Sequence, residues 1–294
     1  MRVLKGHGTE NDFVVVPDLD GALTLTPELV RALCDRHAGI GADGVLRVVR
    51  SAKDPDAERY ADDAEFFMDY RNADGSIAEM CGNGVRVFMR YLQRVSLVGL
   101  DAAVATRGGV MRVRADIGGD ISVEMGQPRI LADRPVATVA QHPDAPPFTA
   151  AGTAVLMPNP HVVVPVASEA ELAALDLARP PRVEPPLPEG QNVEFVVRRG
   201  PRHLVMRVHE RGVGETRSCG TGICAVVAAA ASADGCGADG EPWRVDVPGG
   251  TCTVTWKGDG RIELAGPAVL LAEIDVDDAW LAASAGAASA SAAE

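Results

Sequence analysis

The chain repeats itself, and that repetition limits what it can fold into. Asn11 opens the run N-D-F-V-V-V-P (11–17), and Asn159 opens N-P-H-V-V-V-P (159–165), 148 residues later. The same offset carries Gly44, at the head of GVLRVV, onto Asn192, at the head of NVEFVV. Met68 and Cys81 keep the spacing of Met206 and Cys219, an offset of 138 residues that sets Asn72 on Glu210 and CGNG on CGTG. The strand–Gly-Gly–strand pattern of 104–115 returns at 245–256. Four features recurring in one order describe two diverged copies of one fold, fused end to end.

Each copy reads as short strands interrupted by one helix after the cysteine. EFFMDYRN (65–72) and HLVMRVHE (203–210) alternate in the strand manner. The Gly-Gly pairs at 108–109 and 249–250 predict hairpin turns, which need positive φ. The first helix, over 85–94, sets Val85, Val87, Phe88, Tyr91 and Leu92 among arginines. The second, over 223–233, is apolar nearly all round and so needs burial on every side. Further helices are predicted at 26–37, with Thr26 as cap, and at 168–177. The reading is α+β: two pseudo-symmetric domains, each an antiparallel β-sheet or barrel wrapped around a central α-helix. The first domain spans 1–126 and the second 127–267. The Pro-rich 180–190 stretch reads as a loop, and the low-complexity 282–294 stretch as a disordered tail.

Composition narrows the chemistry. At 294 residues and 47% hydrophobic, the chain has enough apolar surface for two cores. A formal charge of −13 argues against nucleic acid or an anionic membrane as partner. No apolar run reaches membrane-spanning length and the first residues lack a signal-peptide core, so a cytoplasmic location is expected. The six cysteines form no CxxC pair, which points to neither a zinc site nor a disulfide framework. Only Lys5, Lys53 and Lys257 could form a Schiff base, a weak argument against pyridoxal phosphate. No cofactor and no metal are expected. GIGADG (39–44) satisfies a dinucleotide-binding pattern but follows a helix, so it reads as a helix end and turn. His7, His37 and His161 lack metal-ligand spacing, and His142 and His203 read as loop or strand-surface residues.

Cys81 and Cys219 stand apart because each precedes Gly-x-Gly at a helix start. A thiol there meets free N–H groups and the positive end of the helix dipole, which favour the thiolate. Glycines let the backbone approach a ligand and present an amide nest suited to a carboxylate. Two such turns facing each other across a cleft would set one sulfur on each face of an α-carbon. One thiolate then removes the α-proton while the opposite thiol supplies another, a cofactor-independent racemisation or epimerisation. A single cysteine of this kind is more often a packed small residue. Its recurrence at matching points of both copies favours the reactive reading, while Cys34, Cys224, Cys236 and Cys252 keep the packed one.

With these motifs in place, the sequence resembles the diaminopimelate epimerase family. The resemblance runs through HGTENDF (7–13), DRHAGIGADG (35–44), RNADGS (71–76), MCGNGVR (80–86), PNPH (158–161), QNVEF (191–195), HERGVGET (209–216), SCGTGICA (218–225) and WKGDGRIELAGPA (256–268). It implies interconversion of L,L- and meso-diaminopimelate, for lysine and peptidoglycan precursors, with Cys81 and Cys219 as the acid/base pair. By motif, substrate contacts fall on Asn11, Asn72, Asn159, Asn192, Glu210 and Arg211, and on the turns Gly82–Asn83 and Gly220–Thr221. His161 and Glu210 match residues that tune the thiols. The family also implies a homodimer, closure about the cleft, and a final strand over 268–277 returning to the first domain, which extends that domain by 268–281. Gly44 stands where many relatives have Gln, Glu10 replaces a Gly, and Pro158 replaces a Gly. Proline racemases share the twin-cysteine plan but carry Cys-Gly-His-Gly, where Asn83 stands here. A phenazine-pathway isomerase would lack the cysteine pair, and a thiol redox or binding protein would keep it without catalysis.

Overall fold

A computed structural model describes residues 1–117, 119–141 and 145–290. The chain divides into two compact units, Met1–Val123 with the stretch from Pro267 onward, and Glu124–Gly266. His142, read above as a loop residue, lies outside the described residues.

In the first unit, Arg2–Gly8 pairs antiparallel with Asn11–Pro17 through a turn whose residues Thr9 and Glu10 have φ of 48° and 61°. Consecutive positive φ values suit the twist of paired strands, and Gly would adopt them unstrained. Gly44–Arg50 lies parallel to Asn11–Pro17, with Phe13 opposite Gly44. Phe66–Asn72 returns antiparallel, with Asn72 opposite Gly44, and Asp101–Thr106 then runs parallel to it. A parallel neighbour needs a crossover, and here the crossover is the helix Gly82–Arg94. The sheet is therefore mixed rather than purely antiparallel, because the central helix is itself the connection that brings a parallel strand in. Val85, Val87, Phe88, Met89, Tyr91 and Leu92 are buried on that helix, and so is Arg86. Arg86 donates to Thr9 Oγ1 (3.2 Å) and to the carbonyls of Gly82 and Pro267 (3.4 Å each). The strand Val269–Asp275 pairs antiparallel with Arg2–Gly8 in the same unit.

The second unit repeats the register pair by pair. His161 faces Asn192 in a parallel pairing, as Phe13 faces Gly44. Leu204 faces Val245 as Phe66 faces Val104, and Val254 faces Leu264 as Val113 faces Val123. Helix Gly220–Ala233 is the matching crossover, buried on every side through Ile223, Cys224, Ala225, Val226, Val227 and Ala228. The hairpins at 101–115 and 242–256 turn on Gly109 and Gly250, with φ of 117° and 140°. The symmetry is thus one of hydrogen-bond register, which similarity of outline would not require.

The structure departs from the sequence reading at other places as well. The helix read over 26–37 is Pro27–Cys34, because Asp35 Oδ1 captures the amides of His37 and Ala38 (2.7 Å each) and turns the chain. His37 therefore lies in that turn. The helix read over 168–177 is shorter, Glu169–Ala174. Within the Pro-rich loop, Arg182–Glu184 forms an edge strand of a small sheet with Val136–Val139 and Phe148–Ala151, an edge being where flanking prolines are tolerated. Finally, the expected disordered tail is helical over Asp278–Ala290. Its low complexity is alanine, the best helix former, and Asp277 Oδ1 accepts from the amides of Ala279 and Trp280 to start it. Trp280 and Leu281 pack on the cluster of Leu29, Val30 and Leu33.

Buried charge ties the first unit together. Asp69 has no solvent exposure and meets Arg71 Nε at 2.7 Å, Arg107 Nη2 at 2.8 Å and Arg47 Nη1 at 3.4 Å. Burial alone would raise the Asp69 carboxyl, but Arg71 and Arg107 outweigh it and hold it below the usual range. Removing one member of a buried network leaves the others uncompensated. Asp69→Ala is expected to lower unfolding free energy by about 3–5 kcal/mol, read from urea titration. In the second unit Asp246 is held at about 2: burial opposes ionisation, but hydrogen bonds from Thr251, His203 and Arg244 prevail. A carboxyl depressed on folding contributes stability above its unfolded pKa of ~3.9, and that contribution is lost as pH falls through the folded value. Thermal stability should therefore decline from roughly pH 4 toward 2, and Asp246→Asn should flatten the decline.

Candidate active site

Both central helices begin earlier than their apolar pattern, at Gly82 and Gly220, so each cysteine is an N-cap. Cys81 has extended backbone (φ −142°, ψ 118°), and its Sγ accepts from the Gly84 amide at 3.5 Å. The thiol donates to Asn11 Oδ1 at 3.5 Å, and Asn83 Nδ2 donates to the same oxygen at 3.2 Å. Asn11 is held in that orientation because its Nδ2 donates to Asp43 Oδ2 (2.8 Å), and Asp43 pairs with Arg36 (2.8 Å). The first unit therefore gathers Cys81, Asn83 and Asn11 at one helix start. Asn72 ends the strand opposite Gly44 and donates to Ser76 Oγ at 3.0 Å.

The surroundings of Cys219 are more polar, and Cys219 is more deeply buried than Cys81. Cys219 is 5% exposed, with Sγ 3.5 Å from Thr221 Oγ1. Burial pushes its thiol well up, and the carboxylates of Glu210 and Glu194 push the same way. Burial also raises the Glu210 carboxyl, against hydrogen bonds from Thr216 and Cys219. His161 is fully buried, with Nδ1 2.6 Å from Glu194 Oε1 and Nε2 2.9 Å from Asn159 Oδ1. Asn192 Oδ1 accepts from the Arg211 amide at 2.9 Å, while the exposed Arg211 guanidinium donates to the Glu189 carbonyl. Cys34 lies in the apolar core away from both helix starts, and burial pushes its thiol up to about 12.

Three further residues belong to these clusters. Asp43 fixes Asn11, Thr216 engages Glu210, and Glu194 holds His161. Glu194 left a signal that could have been followed: it is the one acid in the apolar run NVEFVV, at an inward strand position. Gly44 has no room for a side chain. A Cβ there would stand 2.5 Å from the Arg71 carbonyl and 2.8 Å from Tyr70 Cε2. Gly44→Gln is expected to destabilise the chain by about 1–3 kcal/mol, measured by urea unfolding, because overpacking forces the backbone to shift.

A duplicated register with a cysteine at the start of each buried helix is a distinctive architecture, and solved structures share the fold. A phenazine biosynthesis protein of the PhzF family from Bacillus anthracis matches with TM-score 0.65 over 94% of this chain and 99% of that one, at 16% identity. A probable proline racemase from Agrobacterium radiobacter K84, with bound carbonate, matches with TM-score 0.64 over 94% and 93%, also at 16% identity. Identity that low establishes the fold class and no more. The sequence goes further: the family model described as diaminopimelate epimerase matches residues 3–131 and 153–271. A diaminopimelate epimerase from Streptomyces coelicolor is 55% identical over 285 residues, covering 95% of this chain and 96% of that protein. The chain belongs to the diaminopimelate epimerase family. The unmatched stretch 132–152 carries Val136–Val139 and Phe148–Ala151 of the small sheet.

Proposed function

We propose that this chain is a cofactor-independent isomerase that interconverts L,L- and meso-diaminopimelate, with Cys81 and Cys219 as base and acid at one α-carbon. The observation that carries the reading is the same cysteine-capped helix start at the same register point of both units, in a member of this family.

The chemistry follows from what the half-sites offer. The α-proton of an amino acid is weakly acidic, so its removal needs a strong base and stabilisation of the carbanion. A thiolate supplies the base. The first-turn amides around Gly82–Asn83 and Gly220–Thr221 offer donors to the carboxylate oxygens as charge builds there. The opposite thiol then forms the new C–H bond on the other face, and its sulfur becomes the thiolate. Each turnover exchanges the protonation states, so the reverse reaction uses the same two groups in exchanged roles. Asn11, Asn72, Asn159 and Asn192 supply donors and acceptors that distinguish the stereocentres. Arg211 suits the distal carboxylate and Glu210 an ammonium, as a substrate with two amino-acid ends requires. His161 and Glu210 adjust the thiols.

The family supports a place in lysine and peptidoglycan precursor synthesis, a cytoplasmic setting and a homodimer. Among the described residues no helix is long and apolar enough to cross a membrane. A second reading, racemisation of proline or hydroxyproline, draws on the fold shared with the proline racemase. One experiment separates them: incubation with L,L-diaminopimelate or L-proline in deuterated water, following deuterium at the α-carbon. Deuterium is expected in diaminopimelate alone, and Cys81→Ala or Cys219→Ala should slow exchange by about 10²–10⁴-fold, the usual worth of a positioned acid or base. Exchange that persists in the double variant would remove the thiols from the mechanism. Incorporation into proline instead would select the second reading.

A further inference from the structure

Among the described residues of the first unit, Arg47 and Arg86 are both buried, and the fold treats them differently. Arg47 is met by three acids, Asp18 at 2.8 Å, Asp54 at 2.9 Å and Asp69 at 3.4 Å. Arg86 has no solvent exposure, and among the described residues no acid pairs with it. Its guanidinium donates to Thr9 Oγ1 and to the carbonyls of Gly82 and Pro267, all uncharged. Asp12 and Asp43, the acids next to Asn11, are matched by Lys5 and Arg36. A guanidinium stays protonated at all ordinary pH, so Arg86 is a fixed positive charge. Burying one without a counter-charge is costly.

Its place in the helix adds to that cost. Arg86 is the fifth residue of the helix Gly82–Arg94, and its Nη1 reaches back to the carbonyl of the first. A Cβ added to Gly8 would stand 3.0 Å from Arg86 Nη2 and 3.1 Å from the Asn83 carbonyl, so the guanidinium lies beside the first turn. A helix start already carries positive potential and favours acids, yet this first turn has none. Two positive sources therefore converge on Gly82–Asn83. The second unit is built otherwise: the offset of 138 residues that sets Cys81 on Cys219 sets Arg86 on Cys224, a buried thiol. We propose that Arg86 is a positioning residue of the first half-site: its unmatched charge draws the substrate carboxylate to the Gly82–Asn83 turn. A carboxylate seated on the turn amides relieves the buried cation and the helix start together.

The proposal rests on the reading of that turn as a carboxylate seat, but its test uses a simpler anion. The full-length protein and its Arg86→Met and Arg86→Lys variants are alkylated with iodoacetate and, separately, with iodoacetamide. Modification at Cys81 and Cys219 is followed by peptide mass spectrometry. The reagents share size and chemistry and differ in one negative charge, so their rate ratio reads the local potential. A loosened loop or a shifted thiol moves both rates together and leaves the ratio alone. Arg86→Met is expected to lower the iodoacetate-to-iodoacetamide ratio at Cys81 by about tenfold at low ionic strength, with a smaller change at Cys219. Arg86→Lys keeps the charge and should stay within about threefold of the parent protein. An unchanged Cys81 ratio in Arg86→Met, an equal fall at both cysteines, or an equal fall in both variants overturns the proposal. If Arg86→Met does not fold, the parent protein decides: a higher ratio at Cys81 than at Cys219 upholds the proposal, and an equal or lower one overturns it. A lowered Cys81 ratio in Arg86→Met, where the parent incorporates no α-deuterium, would uphold this inference while removing the proposed function. An unchanged ratio beside normal α-deuterium exchange would remove this inference alone.

Discussion

Each unit is organised around a helix that has to start inside the protein. A helix start leaves backbone N–H groups without intrahelical partners, and burying them uncompensated costs about 1–3 kcal/mol apiece. An ordinary cap such as Ser or Asp would satisfy them and close the site. Cys81 and Cys219 satisfy them only weakly: Cys81 accepts from Gly84 at 3.5 Å, and the Gly222 amide lies close enough to Cys219 to favour its thiolate. Glycine at the first and third positions then lowers helix propensity further, by up to about 1 kcal/mol each relative to Ala. The surrounding sheet has to offset this, and the buried Val, Phe, Leu and Ile of both crossover helices supply the apolar surface that does so.

The polar groups beneath the helices show how far the copies have diverged. In the first unit the only charge on the buried helix face is Arg86, which ties the Thr9 turn to the strand entering at Pro267 and so braces the loop that carries Asn11. In the second unit the corresponding effort lies in the sheet, in His161 and Glu194. The two copies keep one backbone register while their buried polar groups have diverged.

Much of this was legible in the sequence. The repeat offsets of 148 and 138 residues reappear as strand register, since pairing follows the spacing of apolar and turn residues. The two cysteine-capped helix starts were legible because each cysteine stands directly before Gly-x-Gly. What escaped has a common physical cause. Parallel pairing was missed because periodicity reports which residues face inward and not which neighbour a strand takes. The C-terminal helix was missed because alanine-rich composition reads as low complexity while favouring helix. Glu194 and Asp43 were missed because their significance lies in contacts made across the sheet or between distant loops. Arg86 was seen only as one of the polar residues between apolar positions, where the fold buries it entirely.

Gly44 and Tyr70 constrain each other's replacement. The ring of Tyr70 packs edge-on against Phe13 at 5.9 Å and fills the space a side chain at position 44 would enter. Shrinking the ring first opens a hole beside Phe13, and enlarging Gly44 first drives atoms into the ring and the Arg71 carbonyl. Each step costs stability on its own. A smaller residue at 70 would still leave the Arg71 carbonyl 2.5 Å from a Cβ at position 44, so the backbone has to shift before that position can carry a side chain.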